Sequence, residues 1–273
     1  MIFPSRQNRN MFEAGIAQLT LIYHQTVFEL RRSHHNAILG LLITILQSVM
    51  LIAAFIAMFL FMGVRSAPVR GDYLIYMMTG VFLYMTHIQT VAAVAMSGMR
   101  ARTVAMHEPV TSAVTITAAA LAILYRETLA SLAILAAYYV YRPFTIADPV
   151  GCVAMFLLAW ATGAAVGLIF LALRPWAPEP SRIAMTTYQR ANMVFSGKMF
   201  LANTLPGTLM PMFAWNPLFH IIDQSRGFAF VNYTPLRTSL SFPLYAMLAI
   251  TLLGLVLEFI TRKRESASWF ARQ

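Results

Sequence analysis

The chain has 273 residues, 59% hydrophobic and 11% charged, with a mean hydropathy of +0.66. That composition excludes a soluble globular domain, and several uncharged runs reach the roughly 20 residues needed to cross about 30 Å of hydrocarbon. The formal net charge of +10 comes from 20 Lys and Arg scattered between apolar runs instead of forming a basic face, which points to a positive-inside bias and away from nucleic acid.

In chain order, Phe12, Ile16, Leu19, Tyr23, Val27 and Leu30 recur at steps of three or four, while Glu13, Gln18, Gln25 and Glu29 fall elsewhere, so 12–32 is expected to be an amphipathic helix. Ending in Arg31 and Arg32, it suits the cytoplasmic membrane interface, where basic side chains meet anionic head groups; a helix binding a cytosolic partner is the competing reading. The residues before Ser33 lack the apolar core and small-residue cleavage site of a secretory signal, so insertion is expected to rely on the first spanning helix. Uncharged runs predict spans over 36–63 and 73–99. A third span, 116–141, is interrupted by Arg126 and Glu127, roughly 20 Å from its Tyr141 end by helical rise. Either this pair faces the bundle interior in a functional role, or Arg126 snorkels while Glu127 pairs with a neighbouring helix.

The fourth span, 149–173, carries Gly163, Ala164 and Gly167, a small-residue series that permits close helix approach. Spans over 183–205 and 238–258 complete an all-α polytopic membrane protein with six transmembrane helices in one domain. The termini and one set of loops hold Arg6, Arg9, Arg31, Arg32, Arg100, Arg102, Arg174, Arg182, Arg262, Lys263, Arg264 and Arg272. The opposite face holds half as many, Arg65, Arg70, Arg142, Lys198, Arg226 and Arg237, so both termini are expected to be cytoplasmic.

The stretch 196–227, SGKMFLANTLPGTLMPMFAWNPLFHIIDQSRG, is too apolar for an ordinary loop, yet Pro206, Pro211 and Pro217 with Gly197 and Gly207 keep it from being one helix. Irregular backbone at membrane depth must be buried in protein or face a cavity, which favours a re-entrant hairpin over 206–228; a loop on the membrane surface is the alternative. Within it Asn216 and Pro217 suit the N-cap and first position of a short helix with Leu218, Ile221, Ile222 and Ser225 on one face, and Gly227 suits its C-cap. His220 and Asp223, three residues apart, are expected to pair structurally, together with Arg226, ahead of any catalysis. In the loop between the second and third spans, TVAMHEPVTS, Pro109 fixes a bend and Thr111 or Ser112 suits a helix cap; this is either a coupling element for a soluble partner or a plain turn.

Chemistry-bearing motifs are sparse. No G-x-x-x-x-G-K-[ST] cradles a nucleotide phosphate, so ATP, where used, is hydrolysed in another chain. The six histidines form no H-E-x-x-H or Cys/His cluster and Cys152 is the lone cysteine, so neither a metal site nor an internal disulfide is expected. No G-x-S-x-G and no close carboxylate pair lies in a span, and no catalytic residue is assigned.

Several of these features resemble the membrane permease of ABC transporters for capsular polysaccharide export, related to O-antigen and teichoic acid exporters. The similarity runs over nearly the whole chain and is most specific in the C-terminal half: Ser196-Gly197, Leu205-Pro206, Trp215-Asn216-Pro217-Leu218, then His220 and Arg226. Met106-His107-Glu108-Pro109-Val110-Thr111 with Glu127 downstream resembles the family's ATPase-coupling loop and the glutamate of the next helix, and Gly167-Leu168-Ile169-Phe170 its fourth-span signature. The resemblance implies a homodimer in the bacterial inner membrane, docked on a cytosolic ATPase subunit that holds ATP and Mg, with no cofactor in this chain. It also implies a lipid-linked polysaccharide substrate and periplasmic and outer-membrane export partners. Tyr76, Phe82 and Tyr84 on the second span are then candidates for stacking on sugar rings. Export of a small lipid or drug, or a membrane-embedded sugar or acyl transferase, are the competing functions.

Overall fold

The computed structural model describes residues 11–33, 37–61, 69, 72–104 and 111–270. These form α1 (Met11–Ser33), α2 (Ala37–Phe61), α3 (Tyr73–Val104), α4 (Ser112–Tyr141), α5 (Pro149–Leu173), α6 (Pro178–Phe195), a 3-10 turn (Ala202–Thr204), α7 (Met210–Ala214), α8 (Pro217–Ala229) and α9 (Ser241–Phe270), with no strand among the described residues. Among the described residues, five helical stretches are long and apolar enough to cross a membrane: Ile38–Phe61, Tyr73–Gly98, Ser112–Tyr141, Pro149–Leu173 and Ser241–Arg264. They coincide with five of the expected spans, and that over 149–173 matches to the residue because its start is encoded locally. Asp148 accepts the Gly151 N–H at 3.0 Å, and Pro149 occupies the first helical position, where its missing N–H costs nothing.

The stretch 183–205 differs from expectation. It is not one helix: α6 begins earlier, carries Arg182, Gln189, Arg190 and Asn192, and stops at Phe195 ahead of Gly197, whose φ of 71° no helix accommodates. Gly227 is a second correction. It does not cap α8, which continues to Ala229 and ends where the Phe230 N–H donates to the Arg226 carbonyl. A Cβ at Gly227 would lie 2.7 Å from the Pro235 ring, so the position is glycine to let the following loop fold back on the helix.

The bundle is built on α3 and α5. His87 meets Ala159, and Gly163 and Gly167 meet the Thr90 and Val94 levels of α3 in the same order, so the two helices run parallel. Contact is close enough that a Cβ on Gly163 would sit 2.6 Å from the His87 carbonyl oxygen. Along its apolar span α3 is 67% buried, whereas α9 is 11% buried; α3 is therefore the axis and α9 an outer helix with a wide apolar face. α9 runs parallel to α5, with Gly254 against Leu168 and Thr261 donating to the Ala172 carbonyl. α2 is antiparallel to α3, from Phe59 beside Tyr73 to Gln47 beside Gln89. α4 is also antiparallel to α3, with Tyr138 donating to Asp72 at one end and Ala120 packed with Val94 toward the other. Trp160 ties α5 to α4 by donating to the Ala120 carbonyl at 2.8 Å.

α1 packs along α4 in an unusual sense for an amphipathic helix. Gln25 and Glu29 are buried against the bundle, while Phe12, Ile16, Leu19 and Tyr23 stand exposed. An apolar stripe turned outward from a membrane bundle is at home against lipid, and this is the face the sequence places at the membrane interface.

Glycine at the α3–α5 contact leads to a prediction. Gly163→Val forces branched bulk into the backbone of α3 and should destabilise the fold by about 1–3 kcal/mol, read as a lowered thermal midpoint of the detergent-solubilised protein.

Candidate functional site

The residues that define the C-terminal resemblance converge on α8, a short buried helix packed against α3 and α5. Its start follows from Asn216. The side-chain oxygen accepts the Leu218 N–H at 3.1 Å, and the amide nitrogen donates to the Asn192 side chain and the Phe195 carbonyl, both at 2.9 Å. One cap residue thus closes α8 and ties it to the end of α6. Leu218, Ile221, Ile222 and Ser225 form the inward face as their spacing predicts.

Arg226, one face over, is fully buried. Its guanidinium donates to the carbonyls of Gly197 at 2.9 Å, Phe200 at 2.6 Å and Lys198, and lies over the Tyr76 ring at 4.2 Å. These carbonyls belong to the irregular turn after α6, where no helix supplies their N–H partners. Lys198, also buried, donates to the Met193 carbonyl at 2.6 Å with its ammonium 3.6 Å from the Tyr84 ring centroid and 5.3 Å from that of Phe55. Neither cation has a carboxylate within 4.0 Å among the described residues. Carbonyl dipoles and ring quadrupoles take the place of counter-ions, an arrangement whose strength depends on the absence of water.

His220 and Asp223 do not pair with each other or with Arg226, contrary to expectation. Asp223 accepts from the Tyr233 hydroxyl at 2.6 Å, the Thr238 hydroxyl at 2.8 Å and the Ala202 N–H at 3.1 Å. His220 donates from Nε2 to the Ala214 carbonyl at 3.0 Å and accepts the Ser239 N–H at Nδ1, at 3.1 Å. Because Nδ1 must accept, the ring is neutral, and burial pulls its pKa below the ordinary 6.5. Each side chain pins a different segment to α8, which makes the site a clasp of 196–240 with no acid–base pair.

Tyr76, Phe82 and Tyr84 are buried, and the rings of Tyr76 and Tyr84 already face Arg226 and Lys198. As arranged they offer no face to a sugar, which corrects the stacking expectation. Leu205 and Pro206 supply backbone acceptors, for Arg237 and for the Leu209 and Met210 N–H groups. The Ser196 hydroxyl is buried without a hydrogen-bond partner. Of the coupling loop, Thr111 precedes α4 in extended conformation and makes no side-chain cap bond; Met106, His107, Glu108, Pro109 and Val110 lie outside the described residues. Arg126 lines a lateral cavity, and Glu127 turns inward with Oε1 lacking a hydrogen-bond partner.

Sequence reading missed Lys198 as a site residue and missed the link of α3, α5 and α6 through His87, which meets the Ala159 carbonyl and Thr162 hydroxyl at Nδ1 and Tyr188 at Nε2. The available signal was a lone lysine beside a glycine in an apolar stretch. Among the described residues no three His, Cys, Asp or Glu side chains gather as metal ligands. No protein-family model and no curated protein matches the chain.

Arg226→Gln leaves buried carbonyls unanswered and should cost about 3 kcal/mol or more, seen as a large drop in thermal midpoint in detergent. The neutral His220 gives a signed pH effect. The unfolded ring takes up a proton near 6.5 while the folded one resists, so stability is full above that pH and falls as the medium is acidified. Comparing thermal midpoints at pH 7.5 and 5.5 should show a loss in the native protein that His220→Gln reduces.

Proposed function

We propose that this chain is the transmembrane subunit of an ABC exporter that moves a lipid-linked capsular polysaccharide across the bacterial inner membrane, driven by a separate cytosolic ATPase. The observation that carries this reading is that Gly197, Asn216, Pro217, His220 and Arg226, the residues on which the resemblance is most specific, belong to one hydrogen-bonded unit set against the two central helices. A motif whose members are scattered in sequence yet meet in space has a common physical job, here to hold irregular backbone within an apolar layer.

The six-crossing topology is part of the proposal. α5 and α9 run parallel, so the chain has to return between them. α6 supplies that return: Tyr188 lies beside His87 and Lys198 beside Gly80, so α6 and the turn after it run against α3. Its 18 residues rise about 27 Å, close to the hydrocarbon thickness. Segment 206–228 is then the re-entrant hairpin, and with six crossings both termini share one side, the cytoplasmic one by the distribution of Lys and Arg. The working unit is a homodimer on the ATPase, the glycan passing through an interface that opens during the cycle, with periplasmic and outer-membrane proteins receiving it.

The direct test is to purify the chain with its ATPase partner and measure hydrolysis with and without lipid-linked capsular glycan. Stimulation by glycan is expected; stimulation only by small lipids would reassign the substrate, and the lack of any complex would overturn the reading. In membrane vesicles carrying the complex, Glu108→Gln and Pro109→Ala should leave the protein inserted and the ATPase bound, yet lower glycan export severalfold at unchanged basal hydrolysis. Normal export by both would remove the coupling role from this loop.

A further inference from the structure

Two of the candidate spanning helices end at the same level: α5 at Leu173 and the membrane-length stretch of α9 at Arg264, with Thr261 donating to the Ala172 carbonyl at 3.1 Å. The Trp176 indole is fixed there. Its Nε1–H donates to the Thr261 hydroxyl at 2.8 Å, while the side chain stays 49% exposed. An indole held at the end of spanning helices is at home on the boundary between hydrocarbon and head groups. The Arg264 guanidinium lies over this ring, 4.3 Å from its centroid. Stacking engages the face of a guanidinium and leaves its N–H donors pointing outward in the plane; Arg264 spends none of them on a hydrogen bond or a carboxylate among the described residues. Other arginines differ. Arg182 donates to Glu179 and Arg262 to Glu258, and Arg226, also stacked on a ring, turns its donors onto backbone carbonyls. Arg264 is thus held in place by a ring and still has donors to give.

We propose that the Trp176–Arg264 pair binds the head-group phosphate of an anionic phospholipid of the surrounding membrane, whose acyl chains lie along the outer side of α9. A guanidinium matches phosphate oxygens by charge and by its planar fork of donors, and one already immobilised on an indole loses less freedom on binding than a lone surface arginine. Charge selects the head group. Segments 174–182 and 258–264 hold five basic residues, Arg174, Arg182, Arg262, Lys263 and Arg264, against Glu179 and Glu258. Both carboxylates are paired with arginines, so the ammonium of a zwitterionic lipid finds no open partner here, whereas a lipid of net negative charge gains from the surplus of cations. Ile260 and Leu253, four and eleven residues before Arg264, lie on its side of α9 and are exposed. They give acyl chains an apolar surface continuous with the head-group contact, which a free phosphate could not use. This inference rests on the membrane location of α5 and α9 and does not depend on the exporter reading; its test involves neither ATP nor glycan.

Native mass spectrometry of the whole chain in mild detergent, supplied with equal amounts of phosphatidylglycerol and phosphatidylethanolamine, tests it. Phosphatidylglycerol should be retained in preference. Arg264→Gln, a change at an exposed side chain that the fold tolerates, should weaken its retention about tenfold, as for loss of one charge-assisted hydrogen bond. Trp176→Leu, which keeps apolar bulk but removes the ring under the guanidinium, should weaken it severalfold. Arg262→Gln removes the same charge two residues away and should leave retention nearly unchanged, because Arg262 is already committed to Glu258. No retained lipid in the native protein, no preference for phosphatidylglycerol, unchanged retention in Arg264→Gln, or an equal loss in Arg262→Gln would each overturn the proposal. So would displacement of the lipid by millimolar inorganic phosphate, which would make this a site for a soluble anion.

Discussion

Backbone that leaves the helix while buried in protein exposes carbonyls that need donors other than water, and the organisation around α8 answers that constraint. Gly197 turns the chain out of α6, the carbonyls of 197, 198 and 200 lose helical partners, and one guanidinium supplies three of the missing donors. Arginine suits this role because its donors form a fixed fork and its charge is shared over a plane that can rest on Tyr76. A lysine has a single donating nitrogen and could not reach three separated oxygens. Gly80 completes the arrangement, since a Cβ there would lie 2.8 Å from the Lys198 carbonyl oxygen and 3.0 Å from the Arg226 guanidinium.

The two kinds of contact in the bundle divide the work. α3 and α5 meet through glycine and backbone, which brings dispersion contacts and little freedom to slide. The α8 segment adds directional side-chain hydrogen bonds from Asn216, His220, Asp223 and Arg226 to the packing of Leu218, Ile221 and Ile222 in the core. Lys198 and Arg226, neutralised by dipoles and rings instead of carboxylates, are the bonds most sensitive to entering water.

Legibility in the sequence followed the range of the interaction. Spans over 36–63, 73–99 and 149–173 were readable because absence of charge and local caps such as Asp148 decide them, and Asn216-Pro217 announced α8 for the same reason. The bounds of α6 are hidden because apolar content continues past Phe195 into a turn, while the polar residues at its start belong to the same helix. Gly227 resembled a cap because the rule is local, whereas its purpose, room for Pro235, arises from the fold-back of the loop. Tyr76 and Tyr84 offered no hint that cations more than a hundred residues away would occupy their faces. The amphipathic pattern of α1 is local, but which side turns inward is set by α4, which lies far along the chain.

The fastening of α8 also bears on how the protein is made. Asp223 receives the hydroxyl of Thr238, Gln224 reaches the Thr238 carbonyl, and His220 receives the amide of Ser239, all from the lead into α9. During synthesis those partners emerge after α8 itself, and α9 must then lie parallel to α5 to hold them in place. Closure of the α8 clasp therefore waits on the segment that leads into α9: until Thr238 and Ser239 arrive, Asp223, Gln224 and His220 lack those partners, and α8 is held by its earlier contacts alone.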